Sequence, residues 1–128
     1  MNTTESTEWT PLCRLSDLTP ERGVAALIQG HQVAVFRLHD GNVHAVDHRD
    51  PFSGANVIAR GIVGTRIVEG LETPTVASPL HKQVFDLTSG ISFDDPERSL
   101  RVHPVRVVDG VVEVRLDDVR LSRAAVPA

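Results

Sequence analysis

The sequence predicts an all-β domain built of small antiparallel sheets, a sandwich or barrel. Three observations carry this. Nineteen of the residues are valine, with four Phe, one Trp, no Tyr and one Met, and a β-branched side chain stiff at χ1 suits a pleated surface better than a helix. Short apolar runs alternate with turn dipeptides along the chain. No segment shows a long helical periodicity, so neither a bundle nor an α/β layer is expected.

Taken in order, Met1–Glu8 (MNTTESTE) reads as a polar tail, and Trp9–Leu15 as an edge strand whose Pro11 has no N–H for a ladder. Ser16–Gly23 reads as a loop or a single helical turn. Val24–His48 reads as three strands divided at Gln29-Gly30-His31 and Asp40-Gly41; in it Ala34, Phe36 and Leu38 form one apolar face against Val33, Val35 and Arg37. Arg49–Thr73 loses the alternation and reads as a long functional or mobile loop. Short strands are expected at Thr75–Ala77 and Gln83–Leu87, and an acidic turn at Asp94-Asp95-Pro96-Glu97. A last hairpin, Val102–Val108 with Val111–Leu116, turns at Asp109-Gly110, with Val112, Val114 and Leu116 inward and Glu113 and Arg115 outward. Asp117–Ala128 reads as a frayed tail with a short helical turn. One domain, residues 9–116, is expected between tails 1–8 and 117–128.

Charge and composition exclude several functions. A net charge of −4 disfavours nucleic acid, and the few aromatics offer no stacking platform for bases. No run approaches the ~18 apolar residues of a membrane span, and the polar start has no secretory h-region. No membrane association and a cytoplasmic location are therefore expected. The lone Cys13, expected as a small buried residue of the first strand, excludes an intrachain disulfide framework and any cluster held by two of the chain's own thiolates.

Six histidines, at 31, 39, 44, 48, 81 and 103, raise the question of a metal. His44 and His48 have helical chelating spacing, but on a strand four residues span ~13 Å, too far for one ion. Exposed strand or loop histidines are expected instead. A nucleophile at Ser78 with His81 and Asp50 or Asp86 matches on residue types alone; no Gly-x-Ser-x-Gly elbow surrounds it. There is no Walker loop and no GxGxxG.

Two loops remain. A Rieske centre takes Cys-x-His from one loop and Cys-x-x-His from a second. Here Ser78-Pro79-Leu80-His81, followed by Phe85-Asp86-Leu87 and Ser89-Gly90, occupies the place of the second loop. Asp50-Pro51-Phe52, after the third strand of the meander, occupies that of the first. Asp50 and Ser78 stand where thiolates belong, Phe52 where an imidazole belongs, and only His81 keeps its ligand type. Hard oxygen donors are poor substitutes for thiolate on cluster iron, so no metal, cofactor-binding or catalytic residue is expected in this chain.

Loss of ligands with retention of their flanks resembles the small subunit of the NAD(P)H-dependent assimilatory nitrite reductase. The resemblance runs from Trp9 to about Val114, most specifically through Asp50-Pro51-Phe52-Ser53-Gly54-Ala55, Arg60-Gly61-Ile62-Val63-Gly64 and Ser78-Pro79-Leu80-His81-Lys82-Gln83. It implies a Rieske-like fold with a two-loop tip and a cytoplasmic large-subunit partner carrying FAD, an iron–sulfur cluster and sirohaem, which reduces nitrite to ammonium with NAD(P)H in nitrogen assimilation. The small subunit would support assembly or activity of that partner. The alternative is a cluster-free module docking on another oxidoreductase. Phe52, Arg60, Pro79, Leu80, His81 and Lys82 are the candidate interface; Phe52 either stands exposed at the tip or turns inward to fill the cluster's volume. Contacts of Asp50 with backbone N–H groups or the Ser78 hydroxyl are expected to hold the loops together.

Overall fold

The computed structural model describes residues 8–117. The expected tails 1–8 and 117–128 therefore lie almost wholly outside the described residues, as does the helical turn expected in the second. Among the described residues ten strands run β1 Thr10–Arg14, β2 Val24–Ile28, β3 His31–Arg37, β4 Val43–Asp47, β5 Ile62–Val68, β6 Leu71–Ala77, β7 Val84–Asp86, β8 Val102–His103, β9 Val105–Val108 and β10 Val111–Val114. Short 3-10 turns lie at Leu15–Asp17 and Ile58–Arg60. The strands form three antiparallel sheets, β1-β10-β9, β2-β3-β4-β8 and β5-β6-β7. No helix among the described residues is long and apolar enough to cross a membrane.

The sheet β2-β3-β4-β8 lies between two cores, which changes the reading of β3. Val33, Ala34, Val35 and Phe36 are all buried. Ala34 and Phe36 join Val46, Val76, Phe85 and Leu87 in one core, while Val33 and Val35 join Ile28, Ala45, Val112 and Val114 in the other. Both faces of β3 are thus apolar because each packs on another layer, a burial pattern more common in covered sheets than in half-solvated ones. Full burial of a side chain such as Phe85 contributes on the order of 1.5–3 kcal/mol. Cys13 is half-buried against the second core; burial first, then the Asp17 charge, raises its thiol pKa.

Three further readings need correction. The stretch expected as a 25-residue loop contains β5 and the start of β6, a hairpin turned at Glu69-Gly70. Glu69 and Gly70 have φ of 50° and 82°, the same pair of positive values found at Gln29-Gly30 and Asp109-Gly110, as a two-residue hairpin turn requires. The alternation was hidden because Ile62, Ile67 and Leu71 are 74%, 67% and 71% exposed, so apolar residues lie on the outer surface. The expected strand Val102–Val108 is two strands: β8 pairs with β4 and β9 with β10, the chain changing sheets at Pro104. The histidines are not all exposed: His48 and His103 are 6% and 3% exposed, and His31 and His44 are half-buried.

β4 runs into the loop at residues 48–56 and β6 into the loop at 78–83. Gly61, between the Ile58–Arg60 turn and β5, lets the two approach. A Cβ there would fall 2.5 Å from Ala77 O and 2.7 Å from Val76 Cγ2.

Candidate functional site

The two loops are built alike, and a third loop of the chain repeats them. In Asp50–Ala55 the Asp50 N–H donates to Ala55 O (2.8 Å) and Gly54 N–H to Asp50 O (2.7 Å). The Asp50 carboxylate receives Phe52 N–H at Oδ1 (2.8 Å), and Ser53 Oγ receives Ala55 N–H (3.2 Å). Asp86–Ile91 has the same set: Asp86 N–H to Ile91 O (2.9 Å), Gly90 N–H to Asp86 O (2.7 Å), Thr88 N–H to Asp86 Oδ1 (2.7 Å) and Ile91 N–H to Ser89 Oγ (3.2 Å). Gly54 and Gly90 both have φ of 81°. The shared sequence is Asp-x-x-Ser-Gly, in which the short carboxylate mimics a turn of backbone.

The loop Ser78–Gln83 follows the pattern with different residues. Ser78 N–H donates to Gln83 O (2.9 Å), Lys82 N–H to Ser78 O (3.0 Å), and Leu80 N–H more weakly to Ser78 Oγ (3.4 Å). Lys82 has φ of 61° at the position glycine takes in the other two. Asp50 and Ser78 therefore occupy the same place in their loops, and they meet. The Ser78 hydroxyl donates to Asp50 Oδ2 at 2.5 Å, with the two residues 0% and 1% exposed. The expected polar contact between the loops is present.

These residues do not fit an iron–sulfur cluster. Both Asp50 oxygens already accept hydrogen bonds, and Ser78 is engaged at its N–H, its carbonyl and its hydroxyl. Phe52 offers a hydrocarbon ring; it is half-buried, packs on the first core 6.0 Å from the Phe85 ring centroid, and has the Arg98 guanidinium 5.5 Å from its own. Of the two dispositions open to Phe52, the inward one is nearer the truth. Cys13, the only cysteine, lies on β1 in the other core. His81, Pro79, Leu80, Lys82 and Arg60 are exposed around the loops. The nucleophile reading fails on geometry, since the partner of Ser78 Oγ is a carboxylate and Asp86 is occupied within its own loop.

His48 anchors the first loop from below. Its Nδ1 accepts Ala59 N–H at 3.1 Å, and its carbonyl accepts both Val57 and Ile58 N–H at 3.0 Å. An Nδ1 that accepts leaves the proton of the neutral ring on Nε2, and burial, helped by the Arg60 charge, lowers the pKa of His48.

Spacing along the chain did not reveal a cluster of His31, Asp47 and His103, whose ligand atoms gather within 4.8 Å. Both Nε2 atoms contact Asp47 Oδ1, at 2.9 Å from His31 and 2.8 Å from His103. His103 Nδ1 accepts Asp117 N–H at 3.0 Å. That bond places the His103 proton on Nε2, where a metal would need a lone pair. The trio is a hydrogen-bonded tie between β3, β4 and β8. His44 is not part of it; burial is the main cause of its lowered pKa.

A family model described as "Rieske-like [2Fe-2S] domain" matches residues 8–115. The chain is 40% identical over 109 residues to the nitrite reductase (NADH) small subunit of Escherichia coli (strain K12), covering 84% of this chain and 97% of that one. It is 49% identical to a crystal structure from Mycobacterium tuberculosis provisionally named an NADH-dependent nitrite reductase small subunit, with a TM-score of 0.79 over 85% of this chain and 95% of that one. It is also 38% identical over 109 residues to a nitrite reductase [NAD(P)H] large subunit of Klebsiella oxytoca, where the match spans 85% of this chain and 11% of that protein.

Proposed function

The chain belongs to the Rieske-like domain family and, within it, to the small subunits of NAD(P)H-dependent nitrite reductase, and on that premise we propose that it works without a cluster, docking by its two-loop tip on a large subunit. It is a subunit of an oxidoreductase; nothing in its own loops supplies a redox centre. The proposed role is to support assembly or activity of a partner that binds NAD(P)H, FAD, an iron–sulfur cluster and sirohaem and reduces nitrite to ammonium. Nitrate assimilation in the cytoplasm is the setting that goes with this role.

The observation that carries the reading is the buried Ser78–Asp50 hydrogen bond, which joins the loops where cluster-bearing relatives of the fold join them through metal. The folded body, residues 9–116, then presents the exposed Arg60, Pro79, Leu80, His81 and Lys82 as the docking face, with the half-buried Phe52 beneath them contributing only its outer edge. The Klebsiella oxytoca likeness supports a partnership of this kind. There a segment like this chain is part of a much longer polypeptide named a large subunit, and a covalent link in one protein is consistent with a non-covalent contact in another.

The test is nitrite-dependent NAD(P)H oxidation by the large subunit with and without this chain, together with co-purification. Loss of activity or of complex stability without the chain is expected. Equal activity in its absence, with no association, would overturn the reading. Recovery on an oxidoreductase without sirohaem would move the docking reading to that partner.

A further inference from the structure

The sheet β5-β6-β7 has two unlike edges. Beyond β7 the chain closes the edge itself. Phe85 bridges Ser92, Phe93 N–H donates to Val84 O at 2.9 Å, and in the acidic turn that follows Asp94 Oδ2 accepts Val84 N–H at 2.9 Å. At β5 the two-residue turn makes Val68 and Leu71 a hydrogen-bonded pair, and bonding alternates from there. Arg66 and Gly64 therefore bond to β6, while Val63, Thr65 and Ile67 turn their N–H and C=O groups away from it. Pro74 fits that alternation: it lies opposite Thr65 and has no N–H to give. Among the described residues none of these six outward groups has a hydrogen-bond partner.

Free edges are ordinarily kept short or blunted. β1 carries Pro11 and a bulge, β8 and β9 have two and four residues, and β2 has five. β5 has seven, without proline or lysine, and its Ile62 and Ile67 are exposed, as is Leu71 beside them on β6. Its one charge, Arg66, lies over the Phe93 ring, 4.3 Å from the centroid. Arg66 alternates with Val63 and Thr65, which face the other way and border a cleft shared with Glu21, His39, Asp40 and Glu72. Asp40 is held by the Asn42 backbone and side-chain N–H groups, and His39 meets Glu21 only at 3.7 Å. No Lys or Arg among the described residues lines this cleft.

We propose that an extended segment of the large subunit adds as a strand beside β5 and carries a Lys or Arg that faces the cleft. The inference rests on the docking reading above and extends that docking from the tip along one edge of the sheet. Three features select the occupant. Outward N–H and C=O groups at every second residue are met by another strand, whose main-chain bonds give affinity and whose alternate side chains give register. The carboxylates of the cleft are complemented by a cation, whereas a second copy of this chain would bring like charges to the same edge. The edge also starts at the tip: Ile62 follows Arg60-Gly61 and pairs with Ala77, the residue before Ser78, so one partner reaches both.

Hydrogen exchange of the full chain, alone and with its large subunit, tests this, together with calorimetric affinities of Thr65→Pro, Leu27→Pro and Glu72→Lys. Proline at 65 removes an N–H aimed at the partner and none of the β5–β6 ladder. Proline at 27 does the same on the edge of β2, where Leu27 lies opposite Gln32. In the complex the amides of Val63, Thr65 and Ile67 are expected to gain protection. Thr65→Pro should bind about tenfold more weakly, the worth of one main-chain hydrogen bond, and Glu72→Lys about threefold more weakly, with Leu27→Pro unchanged. Where Thr65→Pro fails to fold by circular dichroism, exchange and Glu72→Lys decide. A complex in which residues 62–68 exchange as in the free chain overturns this inference alone. So does one insensitive to Thr65→Pro or to Glu72→Lys, or weakened as much by Leu27→Pro. Protection of residues 62–68 that grows with the concentration of the chain alone assigns the edge to a second copy and overturns it too. A wild type that forms no complex overturns the docking reading, and this inference with it.

Discussion

Ser78 donates its hydroxyl proton to Asp50 across 28 positions of sequence, at 2.5 Å and out of contact with solvent. Deleting the donor leaves a buried carboxylate oxygen unpaired. Ser78→Ala is therefore expected to lower the unfolding free energy by about 1–3 kcal/mol. Asp50→Asn keeps a carbonyl oxygen for Phe52 N–H and offers an N–H to Ser78 Oγ, so it should lose less. Urea unfolding by circular dichroism measures both; a neutral Ser78→Ala would show that the contact contributes nothing to stability.

Phe52 and the exposed tip residues should separate stability from binding. Phe52 is half-buried beside Phe85, so Phe52→Ala is expected to cost about 1–2 kcal/mol of stability. His81→Ala and Leu80→Ala change exposed residues and should stay within about 0.5 kcal/mol while weakening co-purification with the large subunit. Full retention of affinity in both tip variants would place the interface elsewhere.

The purified chain is expected to contain neither stoichiometric iron nor acid-labile sulfide after anaerobic reconstitution. The triple variant Asp50→Cys/Phe52→His/Ser78→Cys, with native His81, restores two thiolates and two imidazoles and should take up both. It also loses the Asp50 carboxylate that accepts Phe52 N–H, so its metal-free form should be less stable than wild type. Iron and sulfide assays on the two proteins decide the matter.

Stability should fall on mild acidification. His48 and His44 have pKa values below the ordinary 6.5 in the folded chain, burial being the larger cause in each. As pH drops below 6.5 the unfolded chain takes up protons before the folded one, so unfolding becomes easier until the folded values are passed. Stability is complete above that window and declines within it. His48→Gln keeps an acceptor for Ala59 N–H without titrating, and should give a shallower fall between about pH 7 and about pH 5. An unchanged slope would remove His48 as a contributor.

The sequence by itself determined whatever depends on neighbouring residues. Valine-rich runs and the dipeptides at 29–30 and 109–110 placed most strands, because pleat and turn chemistry act within a few positions. Loss of the ligand types at 50, 52 and 78 was equally plain, since a missing thiolate needs no coordinates. The Glu69-Gly70 hairpin was as local as the others, but its outward Ile62, Ile67 and Leu71 erased the alternation by which a half-buried strand is recognised. That Asp50 is a short acceptor suited to Ser78 is legible in residue type alone; that both are sealed from water follows from two loops closing on each other. Tertiary structure alone decided the switch of sheets at Pro104, the inward turn of Phe52 and the tie of His31, Asp47 and His103. Each of these brings together segments far apart in the chain, and their meeting is set by how three sheets share two cores, which no spacing along one strand encodes.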